Sequence, residues 1–322
     1  YSFRRNNSYD GVAKECIAVR ERVGLLDLTC FAKYEIGGSD AESFLQRICA
    51  NHIPRREGGV ALVHMLTDLG GIECEATITR IEENKYYVLS GAVAEIHDHD
   101  WLVQHVLLDE KVSVRNVTDE YGVLVLAGPR SRDVLSKLTD ADLSNAAFPW
   151  LRGKTIDVSG IKTLALRVSY AGELGWELHI PMQNVAELYE RLMDTGAEFG
   201  IENFGTYAMN SLRMEKAYKG WGSELTTEIT PIEAGLERFV DFSKPFIGRE
   251  ATLSRKLLGI NTKLVYLEVD ADDTDCLGNE PVLNGEQIIG VTTSGAYGHS
   301  VKKSLAFAYV EPQYANSGTN FE

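Results

Sequence analysis

Tyr170-Ala171-Gly172-Glu173-Leu174-Gly175-Trp176-Glu177 stands between two strand-like runs, residues 162–169 and 178–181. Two glycines in so short a strand-flanked segment predict a tight, open turn where backbone can approach a ligand. Two aromatics and two carboxylates in the same octet supply stacking faces and hydrogen-bond acceptors, a set that suits a flat heterocycle bearing several N–H donors. The same residues also suit an acidic hairpin with glycines at its turn and Trp176 in the core.

Outward from the octet, residues 155–158 read as one more strand, and 177–181 lead into helices over 184–199 and 204–216. Residues 10–23 carry Val12, Cys16, Val19 and Val23 at helical spacing opposite Glu15, Arg20 and Arg22, an amphipathic helix. A strand is expected over 31–36, and Ser39-Asp40 caps a helix through Phe44, Leu45, Ile48 and Cys49. Residues 60–66, 72–81 and 85–89 form short strands separated by turn signals at Asp68-Leu69-Gly70-Gly71 and Glu82-Glu83-Asn84, and a helix follows over 93–107. The pattern repeats loosely with strands at 112–117 and 122–127 and a helix at 129–138 that has Pro129 in its first turn. Antiparallel strand groups alternating with helices predict an α+β fold, sheets covered by helices on one face. After a further helix, strands at 263–269, 287–293 and 304–310 read as a small all-β module that is incomplete at its end. The expected division is residues 1–258 and 259–322.

At 322 residues, 44% hydrophobic and 25% charged, the chain has the composition of a soluble globular protein of about two domains. A net charge of −15 argues against nucleic acid and anionic membrane as partners. No run approaches the ~18 apolar residues of a membrane span. Cys16, Cys30, Cys49, Cys74 and Cys276 show no C-x-x-C spacing, so a reducing compartment, cytoplasm or mitochondrial matrix, is the simpler inference. The chain begins at Tyr1 and stops at Phe321-Glu322 soon after a strand-like segment, and reads as a piece of a longer polypeptide. It contains neither GxGxxG nor GxxxxGK[ST], so no dinucleotide or P-loop site is expected.

Three segments carry chemistry. In a strand beginning near Ile72, Cys74 and Ala76 point one way and Glu73, Glu75 and Thr77 the other. An acid such as Glu75 amid strand residues is either used or part of an outward polar face. The octet is the second segment. The third, residues 203–222, is a helix carrying Arg213, Glu215 and Lys216 that runs into a loop with Tyr218 and Trp221. His97, Trp101 and His105 share a helix face, but without H-E-x-x-H or comparable spacing no metal site is expected. Cys74 alternates away from Glu75, so a packed thiol is expected rather than a nucleophile.

Six stretches occur together: Ala18-Val-Arg-Glu-Arg-Val-Gly-Leu-Leu-Asp-Leu-Thr29, Met65-Leu-Thr with Gly70-Gly71, the octet, Asn203-Phe-Gly-Thr-Tyr-Ala-Met-Asn-Ser-Leu-Arg213, Thr230-Pro-Ile-Glu-Ala-Gly-Leu-Glu237 and Lys303-Ser-Leu-Ala-Phe-Ala-Tyr-Val310. In this order they resemble the folate-binding aminomethyltransferase family typified by the glycine-cleavage T-protein. Within it they look most like the C-terminal tetrahydrofolate-binding region of dimethylglycine and sarcosine dehydrogenases. The resemblance implies two interleaved ferredoxin-like α+β subdomains around a central channel, followed by a small β-barrel. It also implies tetrahydrofolate bound with its pterin buried and its glutamate tail outward.

Carried over by position, Glu177 accepts hydrogen bonds from the pterin, Tyr170 flanks the ring, and Thr77, Tyr87 and Tyr218 fall on ligand-contact positions. Glu75 stands where relatives place an acid, often Asp, beside the reactive folate nitrogens. Gly91 and Met209 replace a polar Asn and an Arg of glycine-cleavage T-proteins, which counts against a lipoyl-arm donor. The implied activity is capture of formaldehyde or an iminium, produced by demethylation of an N-methylated amino acid, as 5,10-methylenetetrahydrofolate. The implied partner is a preceding or separate flavin-dependent amine-oxidising domain that holds the FAD. The alternatives are a stand-alone tetrahydrofolate-dependent aminomethyl- or methyltransferase, a folate-binding module without turnover, and an unrelated acidic structural protein.

Overall fold

The computed structural model of the protein describes residues 4, 5 and 7–321. In chain order it begins with α1 (Tyr9–Glu21), β1 (Val23–Asp27), β2 (Ala32–Gly37), α2 (Ala41–Ile48), β3 (Val60–Leu66), β4 (Ile72–Glu82) and β5 (Lys85–Ser90). Next come α3 (Glu95–Gln104), β6 (Ser113–Asn116), β7 (Tyr121–Ala127), α4 (Ser131–Leu135), β8 (Gly153–Val158), β9 (Ile161–Leu166) and β10 (Gly175–Pro181). The chain continues with α5 (Val185–Gly196), β11 (Ile201–Asn203), α6 (Thr206–Glu215) and α7 (Arg249–Leu258), then β12 (Lys263–Val269), β13 (Pro281–Asn284), β14 (Gln287–Gly298) and β15 (Lys303–Val310).

These strands form a five-stranded sheet, β3-β4-β5-β2-β6, a six-stranded sheet, β11-β1-β7-β10-β9-β8, and a four-stranded sheet, β12-β15-β14-β13. The two larger sheets are interleaved. The chain lays down β1 in the six-stranded sheet, leaves to build β2 to β6, and returns with β7. Apart from the parallel pair β1–β11, neighbouring strands are antiparallel, which leaves one face of each sheet for helices and the other for a partner surface.

Alternation decides which residues go where. β4 buries Cys74, Ala76 and Ile78 in a core with Phe44, Leu45 and Ile48 of α2, so Glu75 and Thr77 face away from it. In β10, Trp176, Leu178 and Ile180 pack on Leu188 and Leu192 of α5, which turns Glu177 and His179 the other way. The side chains left over from both sheets therefore meet between them. Full burial of a Leu or Phe in either core contributes about 2 kcal/mol.

Several elements differ from expectation. The octet is not a turn with Tyr170 and Glu177 at its ends, because Gly175, Trp176 and Glu177 already pair with Ala127, Leu126 and Val125 in β10. Trp176 lies wholly in the core, and Glu173 is drawn 3.0 Å from Arg20, so neither offers itself to a ligand. Gly172, at φ +74°, makes the turn instead. Helix α1 stops at Glu21, and Val23, expected as its last apolar residue, begins β1. β11 and β13 were not anticipated, and α3 ends at Gln104, so His105 is its cap rather than part of a helical face.

Candidate functional site

A cavity of about 390 Å³ lies where the leftover faces of the two large sheets meet. β4 contributes Glu75 and Thr77, and β10 contributes Glu177 beside Val125 and Leu26. Leu28 and Phe31 close one side from the β1–β2 loop, while Met209, Asn210 and Arg213 of α6 and Trp221 of the following loop close another. Of the residues singled out from sequence, Glu75, Thr77, Tyr170 and Glu177 line this space, and so do Gly91 and Met209. A Cβ at Gly91 would meet no atom within 4 Å.

Tyr170 donates its hydroxyl hydrogen bond to the Lys219 carbonyl (2.8 Å), and its ring stacks on Tyr218 with centroids 6.0 Å apart. Tyr218 thus backs Tyr170 and does not line the cavity itself. Tyr87 also lies off the cavity. It is buried between the sheets with its oxygen 3.0 Å from His179 Nδ1, and burial, reinforced by Tyr121 and Glu177, pushes its phenol well above the ordinary range. The Tyr87 hydroxyl is therefore the donor to Nδ1. That leaves the proton of His179 on Nε2, which points at Glu177 Oε2 over 3.4 Å.

Glu75 has a comparable arrangement. His64, directly opposite it in the β3–β4 ladder, is fully buried and places Nε2 2.8 Å from Glu75 Oε2. Neither His64 nor His179 was given a role from sequence. Counting outward from Gly70-Gly71 would set His64 opposite Thr77; the longer turn and the bulge between Met65 and Leu66 set it opposite Glu75 instead, so the pair was not legible from the hairpin signal alone.

The rest of the surroundings hold the walls in place. A Cβ at Gly71 would lie 1.7 Å from the Thr227 carbonyl oxygen, so only glycine lets the β3–β4 turn pass under that loop. Trp221 Nε1 donates to the Glu73 carbonyl (3.0 Å), and the Glu73 side chain reaches His97 Nε2 at 2.9 Å. Burial acts to lower the His97 imidazole, but Asp98 and Glu73 outweigh it and raise it above its ordinary 6.5. Cys74 is buried, and burial, then Asp98, pushes its thiol well above the usual value, as befits a packed residue. Among the described residues no group of three or more His, Cys, Asp or Glu is arranged to hold a metal ion, and no helix is long and apolar enough to cross a membrane. A larger open cleft of about 990 Å³, between α1, α6 and β14, shares Asn210 and Arg213 with the cavity. Its charges include Arg5 paired with Asp275 and Arg213 paired with Glu224.

Residues 1–244 match the family model described as GCVT N-terminal domain, and residues 262–322 match the Glycine cleavage T-protein C-terminal barrel domain. The whole chain is 44% identical to mitochondrial dimethylglycine dehydrogenase of Rattus norvegicus and spans 38% of that protein. It is 31% identical to the aminomethyltransferase of Thermoanaerobacter sp. (strain X514), over 98% of this chain and 85% of the relative. In fold it matches the glycine cleavage system aminomethyltransferase T of Bartonella henselae with a TM-score of 0.86 at 24% identity, over 96% of this chain and 84% of that one. Family models that cover both the interleaved sheets and the C-terminal sheet leave one assignment: the chain belongs to the glycine-cleavage T-protein family, with the aminomethyltransferase fold.

Proposed function

We propose that the chain binds tetrahydrofolate in the cavity between the two large sheets and condenses it with formaldehyde or an iminium to give 5,10-methylenetetrahydrofolate. The observation that carries this reading is the convergence of Glu75 from β4 with Tyr170 and Glu177 from the two ends of the octet on one cavity of a size suited to a small ligand. Glu177, oriented by His179, accepts hydrogen bonds from the pterin amino and ring N–H groups. Tyr170, braced by Tyr218, covers a ring face. Thr77 lies beyond Glu75 on the same strand face and adds a hydroxyl.

Glu75 takes the proton released when a folate nitrogen attacks the one-carbon donor, and its charge favours cationic iminium character nearby. In the balance, formaldehyde loses its oxygen as water and its carbon bridges two folate nitrogens. A relative named as a mitochondrial dehydrogenase, of which this chain spans 38%, supports a flavin-bearing amine-oxidising domain or subunit as the source of the one-carbon unit, and a mitochondrial setting. The division into a folate body, residues 1–258, and a C-terminal module, 259–322, belongs to the same proposal.

Titration calorimetry with the stable analogue 5-formyltetrahydrofolate tests the reading. The parent chain binds, and Glu177→Ala weakens binding by roughly tenfold or more, the scale of a lost charge-assisted hydrogen-bond pair. Equal binding by both chains discards the pterin assignment. Glu75→Gln retains the analogue but loses most of the acceleration of formaldehyde capture.

A further inference from the structure

The His64–Glu75 pair is built the opposite way round from a carboxylate that orients a reactive imidazole. Here the carboxylate lines the cavity and the imidazole lies behind it, fully buried. His64 Nε2 is 2.8 Å from Glu75 Oε2, while His64 Nδ1 is buried with no hydrogen-bond partner, and the Phe239 ring meets the imidazole edge-on at 5.6 Å. A buried N–H without an acceptor costs about 1–3 kcal/mol, so the tautomer with hydrogen on Nε2 and a bare Nδ1 is favoured. In that state His64 donates to one oxygen of Glu75. The other oxygen, Oε1, receives no hydrogen bond from the described residues.

We propose that His64 is a positioning residue that ties Glu75 by Oε2, aims Oε1 at the ligand, and closes the protein side to proton escape. The inference rests on the folate reading above and extends it to the fate of the proton. With no group beyond Nδ1 to accept or supply a proton, a proton taken by Glu75 has one way out, back into the cavity. Methylene formation needs this. Glu75 takes the proton of the first folate nitrogen as that nitrogen bonds to formaldehyde and passes it to the carbonyl oxygen, giving the N–CH2–OH adduct. It then takes the proton of the second nitrogen as that nitrogen bonds to the same carbon and passes it to the departing hydroxyl, so the C–O bond breaks, one water leaves with both protons, and Glu75 ends as the carboxylate it was. One carboxylate serves as base and then as acid on the same substrate, and the dead end behind it keeps the proton in the reaction.

The test uses the full chain in three forms, parent, His64→Leu and His64→Gln, each first compared by circular dichroism and by 5-formyltetrahydrofolate calorimetry. Formaldehyde capture by tetrahydrofolate is then followed above the uncatalysed rate. Expected for His64→Leu is analogue affinity within about threefold of the parent and a fall in kcat of roughly tenfold or more with little change in KM, the pattern of a lost positioning contact. His64→Gln, whose side-chain amide restores a donor to Oε2, recovers most of that rate.

A parent that turns over and an equally active His64→Leu overturn the inference while leaving the folate reading intact. A parent that binds no analogue overturns the folate reading and the inference together. A folded His64→Gln as slow as His64→Leu overturns the donor role. Nitrogen-15 spectra of histidine-labelled parent protein with the analogue bound need no variant to fold. A bare Nδ1 with protonated Nε2 on His64 is the expected signature, and a proton on Nδ1 overturns the proposal.

Discussion

Tyr87 was expected at a ligand-contact position, yet its hydroxyl is given to His179 and its ring is packed edge-on against Tyr121 at 6.2 Å. Its effect on a ligand must therefore pass through His179 to Glu177. Tyr87→Phe keeps the ring and removes the donor, leaving Nδ1 of His179 unpartnered in a buried place. We expect a stability loss of about 1–2 kcal/mol by urea unfolding and folate-analogue binding weaker by roughly three- to tenfold, through a less firmly oriented Glu177. A direct pterin contact would instead leave stability unchanged while binding fell.

Residue identity alone could place Glu75 and Glu177 as candidates, because acids in strand-forming surroundings stand out. It could not show that each has an imidazole beside it, since that depends on register across β3–β4 and on packing of one sheet against the other.

At the scale of elements, α3 and β4 are tied by His97, whose two ring nitrogens face Glu73 and Asp98, each at 2.9 Å. Burial opposes the charged ring, but the two carboxylates prevail and raise His97 above its ordinary 6.5 in the folded chain. A raised value means the folded state holds the proton more tightly. The contribution is therefore complete below about pH 6.5 and is lost as pH climbs through the folded value. The stability gap between parent and His97→Asn, read from urea midpoints, should narrow as pH rises from about 6.5 through the raised folded value. The gap itself should stay below about 1 kcal/mol, because the ring is nearly half exposed and the pair is screened. A gap that widens with pH would contradict the geometry.

Strands with one solvent-like face, such as β4, were legible from alternation of Ile72, Cys74 and Ala76 with Glu73, Glu75 and Thr77. β1 was not, because Val23-Gly24-Leu25-Leu26 is a continuous apolar run that prolongs the periodicity of α1. Sandwiched between β7 and β11, it is buried on both faces and has no alternation to show.

For the whole molecule, Glu224 joins the cavity to the C-terminal sheet. It is fully buried and accepts hydrogen bonds from Gly220 N (2.8 Å), Arg213 (3.1 Å) and Thr293 Oγ1 (2.7 Å), with Ser294 Oγ also at 2.5 Å. Arg213 in turn lines the cavity and reaches Ser294 at 3.0 Å. Glu224→Gln leaves the guanidinium buried without its counter-charge, which costs about 3–5 kcal/mol. Chemical denaturation should show that loss together with weaker analogue binding, since the α6 wall and the β14 strand lose their shared anchor. A loss below about 1 kcal/mol would mean that water reaches Arg213.

Gly91 stands apart from all this bracing. Its φ of −64° suits any residue, and nothing occupies the place of a Cβ. Selection could therefore write a side chain into the cavity there in one step without disturbing the scaffold. Position 91 is thus a free variable of the cavity's shape on an otherwise committed fold, open to a new side chain at no cost to foldability.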